Sequence, residues 1–257
     1  SHVWWPINSC PAVTGAAFLS RYFVVDRIFM STELQYLMAS PSRFLSPSET
    51  DCPASLLALA AQDKPQPFVF VRAIGAAVLQ TARDAMMARL AEPILVGEAD
   101  IIARDAAAIG WSLDGVEIVS SVGEAGAIDD AIRLCRDGRA AGLVKGQLHT
   151  DVFMGGIVKR DAGIRIGNRL VHIFAIYPPD SRAGPVLVSD AAVNVTPDEK
   201  TQNQSMIEMC ALAKKLGHTR PKLAILSATE TPIDSMPASM VAAERAKWAK
   251  AHLVDTD

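Results

Sequence analysis

From residue 67 onward the chain alternates short, β-rich apolar runs with helical stretches, and that rhythm confines it to an α/β architecture. Residues 68–71 (FVFV), 93–96 (PILV), 116–119 (VEIV) and 141–144 (AGLV) are strand-like, and residues 76–90, 99–109 and 125–136 between them carry helical spacing. Gly97 closes one strand, and Gly110 and Gly138 follow helices; Gly110 stands where a left-handed C-terminal cap belongs. Strands alternating so evenly with helices predict parallel βαβ units and an α/β sheet.

A second block begins near residue 149. It predicts a helix over 150–160, then strands at 171–177 and 186–189 joined by the turn-rich PPDSRAG as a hairpin. A long helix over 197–216 has Thr196 as cap, Pro197 in its first turn and Asp198 and Glu199 at its positive end. Lys214 and Lys215 lie at its negative end and Gly217 is its stop. A strand at 223–226 and a helix at 238–250 complete the block. Residues 1–62 read differently, with Trp4 and Trp5, a helix at 31–39 capped by Ser31, and a Ser/Pro-rich linker at 40–53. The expected organisation is therefore an unassigned N-terminal extension (1–62), a first α/β domain (63–148) and a second (149–257). No repeat of 20–50 residues is visible.

With 257 residues, half of them hydrophobic and 21% charged, the chain can bury a substantial core. A net charge of −3 gives no general attraction to nucleic acid or to an anionic membrane. No uncharged apolar run approaches the roughly 18 residues of a membrane span. Cys10, Cys52, Cys135 and Cys210 form no CxxC pair and no metal-spaced cluster, which points to reduced, packed thiols and a cytoplasmic setting. The nucleophile-elbow pattern GxSxG, the phosphate-loop pattern GxxxxGKS/T and a strand-following GxGxxG are absent. His2, His149, His172, His218 and His252 are isolated in sequence, and His172, alternating with apolar residues, reads as structural.

Three polar segments stand where strands end. In LVKGQLHT, residues 143–150, a strand runs into Lys145 and Gly146 and a helix starts near Thr150. Ligands of open parallel sheets bind beyond the carboxyl ends of strands. Glycine permits close backbone approach, and helix-start N–H groups suit an anion. Lys145 would add a cation, and His149 and Thr150 donors; the alternative is an ordinary strand–turn–helix with an exposed lysine. In VSDAAVNVTP, residues 188–197, Ser189, Asp190 and Asn194 either frame a ligand or serve turn chemistry. In LSATET, residues 226–231, Ser227 and Thr229 either bind a phosphate or carbonyl or form a polar loop. Arg165, within GIRIG, either clamps a phosphate or lies on the surface.

Taken in order, AEPILVG (91–97), LVKGQLHT, GIRIGNRLVH (163–172), VSDAAVNVTP and TPIDSMPAS (231–239) resemble the phosphate acetyl/butyryltransferase family, nearer its butyryltransferase branch, from about residue 67 to the end. The resemblance implies a two-domain, three-layer fold with a parallel or mixed sheet, related to the isocitrate and isopropylmalate dehydrogenases, with the active site between domains. It implies transfer of an acetyl or butyryl group between CoA and phosphate, by direct attack of the CoA sulfur on the acyl-phosphate carbonyl. Carried over by motif, Lys145, Gly146, His149 and Thr150, with Arg165, would line the phosphate and acyl side, and Ser189, Asp190, Asn194 and Ser227 the cleft and CoA side. CoA enters as substrate; no metal or prosthetic group is implied, and a homodimer is compatible. The family's usual arginine after the Thr150 position is replaced by DVFMGG, with Gly155 and Gly156. The family's later segment, with a Ser-Arg loop and the acidic residue credited as base, does not follow residue 257, so a C-terminally incomplete fold with impaired activity is expected and no catalytic residue is assigned. Two other functions stay open: a non-catalytic CoA- or anion-binding homologue, and a dehydrogenase-like enzyme of the same architecture, which would need metal ligands.

Overall fold

A computed structural model describes residues 2–5, 24–26, 54–62, 64–164, 170–177, 185–191, 194 and 196–253. The expected helix at 31–39, the linker at 40–53, Cys10, Cys52 and Arg165 lie outside the described residues. The chain divides into two compact units: residues 1–3 with 10–165, and residues 4–9 with 166–257. This division falls later than residue 148, because the helix that follows the LVKGQLHT loop packs within the first unit.

Strand β1 (His2–Trp5), β2 (Val24–Asp26) and helix α1 (Ala54–Ala60) come from the N-terminal stretch. The first unit then runs β3 (Gln66–Val71), α2 (Ala76–Met87), β4 (Ala91–Gly97), α3 (Ala99–Ala108), β5 (Glu117–Ser120), α4 (Gly123–Arg136), β6 (Gly142–Lys145) and α5 (Thr150–Val158). Its sheet has the order β5-β4-β3-β6-β2, and every pairing in it is parallel. The α/β class with a parallel sheet is as expected, and β2, from the N-terminal stretch, pairs with β6 in that sheet.

The continuous apolar runs have a simple cause. Successive residues of a strand point to opposite faces, and here both faces are covered. Phe70, Leu95 and Val144 enter one core with Leu79 and Ala82 of α2 and Ile102 and Ala106 of α3. On the alternate positions Val69, Val71, Val96 and Leu143 are equally buried, and α4, which packs on β3 and β4, buries Ala127, Ile128, Ala131 and Ile132. Gly110 follows α3 with φ of 67°, the left-handed cap its place predicted. Cys135 and Cys210 are buried thiols, and burial pushes Cys135 up to about 12.

Helix α5 lies close against α4 because Gly156 has no side chain: a Cβ there would meet Ile128 Cγ1 at 2.5 Å and Ile132 Cδ1 at 3.2 Å. At this position packing demands the glycine, whereas a Cβ on Gly155 would meet nothing within 4 Å.

The second unit holds β7 (Val171–Ile176) and β8 (Val186–Ser189) as an antiparallel pair, with α6 (Glu199–Lys215) packed on both and α7 (Pro237–His252) against α6. Arg245 of α7, only 7% exposed, donates to Asn203 Oδ1 at 3.0 Å and pairs with Glu199 Oε1 at 2.7 Å. In TPIDSMPAS, Ser239 Oγ accepts from Ile233 N–H at 2.9 Å and bonds Met236 O at 2.7 Å, so that motif builds the first turn of α7. His172 is fully buried, its ring edge-on to Phe174 at 4.1 Å, in keeping with a structural role.

Two expectations need correction. Thr196 is not the cap of α6: Asp198 is, its carboxylate accepting from Thr201 N–H at 2.8 Å, which starts the helix at Glu199. Residues 223–226 form no strand; the alternating burial is there, but the run pairs with no neighbour among the described residues and Leu226 is 86% exposed. Among the described residues no helix is long and apolar enough to cross a membrane.

Phe70 is 2% exposed at the centre of the sheet. Phe70→Ala is expected to lower unfolding stability by about 3–5 kcal/mol, read from urea titration, whereas truncation of the exposed Leu226 should leave the midpoint nearly unchanged.

Candidate functional site

The loop after β6 is laid against the loop after β3. Gly146 N–H donates to Val71 O at 2.9 Å, Gln147 N–H to Arg72 O at 3.0 Å and Leu148 N–H to Gly146 O at 3.1 Å. A Cβ on Gly146 would collide with Val71 O and lie 2.6 Å from Arg72 O, so the approach is open only to glycine. Lys145, the last residue of β6, is half-buried; His149 is the N-cap of α5, and Thr150, its first residue, is exposed. Lys145, Gly146, His149 and Thr150 thus sit together at the carboxyl edge of the parallel sheet, as the spacing implied.

Around this loop the structure gathers three charged residues that the sequence reading passed over. Arg72 follows β3 with φ of 50°. Its guanidinium donates to Gln147 O at 3.1 Å, to Glu98 Oε1 at 3.4 Å and to Glu124 Oε1 at 3.4 Å. Glu98 follows β4 and accepts from Gly123 N–H at 3.0 Å. Burial works to raise its pKa, but its own and Gly123's N–H groups and Arg72 outweigh that and hold it below the usual carboxylate range. Glu124, in the first turn of α4, accepts from His149 N–H at 3.0 Å and bonds His149 Nδ1 at 2.9 Å. The His149 backbone N–H, then its ring, hold the Glu124 carboxyl down. Arg72 and Glu98 immediately follow parallel strands, and Glu124 comes four residues after β5. The carboxyl-edge rule, applied to every strand rather than to β6 alone, would have found them.

The remaining candidates occupy the second unit. Ser189 Oγ donates to His172 O at 2.8 Å. Asp190 adopts a left-handed conformation, φ 57°, and its Oδ1 accepts from Asn194 Nδ2 at 3.0 Å and Ser205 Oγ at 3.1 Å. Aspartate tolerates that conformation better than most residues. Ser227 Oγ approaches Met236 Sδ at 3.7 Å. A groove of about 560 Å³ in this unit is lined by Val186, Leu187, Met209, Cys210, His218 and Arg220, among others, and none of the expected site residues lines it. Among the described residues no three His, Cys, Asp or Glu side chains gather as a metal-binding group.

Curated sequences carry the same likeness. A phosphate acetyltransferase of Rhizobium meliloti is 31% identical over 195 residues, 76% of this chain and 61% of that protein. A phosphate butyryltransferase of Clostridium acetobutylicum is 29% identical over 170 residues, 66% of this chain and 56% of its own length. The chain is a homologue of phosphate acetyl- and butyryltransferases. The homologue spans about three-fifths of the curated relatives it matches. A solved phosphotransacetylase from Streptococcus pyogenes shares the fold, with a TM-score of 0.65 at 16% identity over 81% of this chain and 72% of that one. No family model matches.

Gly146→Ala is expected to push the β6 loop off β3 and to destabilise the first unit by about 1–3 kcal/mol; hydrogen exchange at Gln147 should rise with it. A second expectation concerns Glu208, 2% exposed on α6. Its Oε1 accepts from Gln204 Nε2, and its Oε2 meets no partner among the described residues. Burial pushes its carboxyl up to about 7, against the Gln204 hydrogen bond, from an ordinary 4.5. The folded protein therefore holds a proton that the unfolded chain releases, and stability falls as pH rises from about 4.5 through 7. Glu208→Gln should flatten that fall and exceed the parent in stability at pH 8 by roughly 1–3 kcal/mol, measured by urea unfolding at pH 4 and pH 8.

Proposed function

We propose that this chain moves a short acyl group, acetyl or butyryl, between CoA and inorganic phosphate, with residues 145–150 receiving the phosphate end of the reactants. The loop itself carries the proposal. In a chain homologous to proteins named for this reaction, a glycine with no room for a side chain turns the backbone at the carboxyl end of a parallel strand, between a lysine and a helix start.

The chemistry is acyl-CoA plus phosphate in exchange with acyl phosphate plus CoA. Toward thioester, the CoA sulfur attacks the acyl-phosphate carbonyl and phosphate departs. The reaction needs a cation and backbone donors for phosphate, donors for the carbonyl oxygen, and a proton acceptor for the thiol. Lys145 is the proposed phosphate cation, aided by Thr150 and the start of α5, and Arg165 is proposed as a second clamp. Ser189, Asp190, Asn194 and Ser227 are the proposed CoA-side groups. CoA and phosphate are the proposed partners, with no metal or prosthetic group taking part; kinship with the isocitrate and isopropylmalate dehydrogenases, a homodimer and a cytoplasmic site go with this proposal.

The test is release of CoA thiol from acetyl-CoA and butyryl-CoA, dependent on phosphate, by the purified chain. Turnover is expected with at least one of them. CoA binding by calorimetry without any turnover would instead establish the non-catalytic alternative. Lys145→Ala should lower kcat/KM for phosphate by a factor equivalent to about 1–3 kcal/mol; an unchanged value removes the lysine from the phosphate site.

A further inference from the structure

The sheet of the first unit is wound in two directions. From β3 the chain passes through α2 to β4 and on to β5 on one side, and α4, on the opposite face, returns it to β6 on the other side of β3. Ligands of such sheets bind in the crevice at the carboxyl ends where the strand order reverses, here between β3 and β6. Two cations flank that crevice: Arg72, the first residue after β3, and Lys145, the last of β6, which stands in register with Val71.

Arg72 is turned into the protein. Its Nη1 donates to Gln147 O at 3.1 Å and to Glu124 Oε1 at 3.4 Å, and its Nη2 to Glu98 Oε1 at 3.4 Å. Two carboxylates already answer its single charge, which leaves little attraction for a third anion. Glu124 in turn accepts from His149 N–H at 3.0 Å. Arg72 therefore holds the loop at two points, Gln147 directly and His149 through Glu124, and both lie between Gly146 and the start of α5. The arrangement is not one that stability alone would favour. Arg72 Nε and Glu98 Oε2 are buried without hydrogen-bond partners among the described residues, and a half-satisfied buried pair adds little to folding. Arg72 also adopts φ of 50°, a left-handed conformation uncommon outside glycine, asparagine and aspartate. Backbone strain and incomplete pairing at one residue direct attention to what its side chain holds in place.

We infer that Arg72 is the positioning residue of the phosphate loop. It fixes residues 147–149, and through them the spacing between Lys145 and the first N–H groups of α5, without touching phosphate itself. The inference rests on the proposal that residues 145–150 receive phosphate. One group has to meet a carbonyl and two carboxylates at once, which suits a planar guanidinium; a lysine in its place keeps the charge and loses the fork. A loop ordered before its ligand arrives loses less freedom on binding. The effect of Arg72 is therefore carried by the affinity for phosphate and not by that for CoA.

The experiment titrates inorganic phosphate, and separately CoA, into the full chain and into Arg72→Lys and Glu124→Ala by calorimetry. Amide exchange at Gln147 and His149 and the thiol-release assay accompany it. Both variants are expected to bind phosphate about 10-fold more weakly, or worse, and to exchange faster at the two amides. The phosphate KM should rise in step while the KM for acyl-CoA stays unchanged. Glu124→Ala supplies a test of sign. It removes a negative charge beside Arg72, so an Arg72 that itself bound phosphate would then bind it more tightly. Tighter phosphate binding by Glu124→Ala overturns the inference, and so does unchanged binding by Arg72→Lys. An equal loss of phosphate and CoA affinity in both variants also overturns it, because that marks a general loss of structure. A parent that binds phosphate without turnover overturns the acyl-transfer proposal alone, and the calorimetric comparison still decides the role of Arg72. A parent that binds no phosphate overturns both.

Discussion

Two backbone hydrogen bonds, from Gly146 to Val71 O and from Gln147 to Arg72 O, fasten the loop of one central strand to the end of its neighbour. Everything at the candidate site hangs from that contact. It exists because β3 and β6 run parallel and end level, Val71 opposite Lys145, so that both chains leave the sheet at the same height. It is this close because Gly146 has no Cβ. Buried backbone groups need partners, and once the two loops supply them to each other neither is free to wander.

From that anchor the charges follow. Arg72 turns the chain with positive φ and lays its guanidinium across Gln147 O, Glu98 and Glu124. Each of these side chains is about one-fifth exposed, so the attractions are less screened than at an open surface. One cation thus lies between two carboxylates, and the half-buried Lys145 ends the neighbouring strand β6.

Much of this architecture could be read from the chain. The parallel βαβ rhythm was visible because strands covered on both faces have to be apolar throughout, as PILV is, and the helix boundaries at Gly110 and Gly217 were written in their glycines. The loop 145–150 was legible for the same reason, a glycine between a strand and a helix start. The cap of α6 was misplaced by two residues because Thr196 and Asp198 are both competent caps, and only the hydrogen bond to Thr201 distinguishes them. The run at 223–226, LAIL, is apolar throughout like a buried strand, but a short apolar run fixes no conformation, and a strand also needs a neighbour to pair with.

By itself the sequence determined which segments fold locally and where a backbone must pass close to another, since periodicity and the lack of a side chain on Gly146 are properties of the chain alone. It also carried the ordered motifs that link this chain to its relatives. Only the tertiary structure decided that Arg72, Glu98, Glu124 and His149 meet, because they lie up to 77 residues apart and are joined by strand order rather than by spacing. The partner of His149 is decided at the same level: its isolated place in the sequence says nothing of the carboxylate, 25 residues earlier in the chain, that bonds its ring.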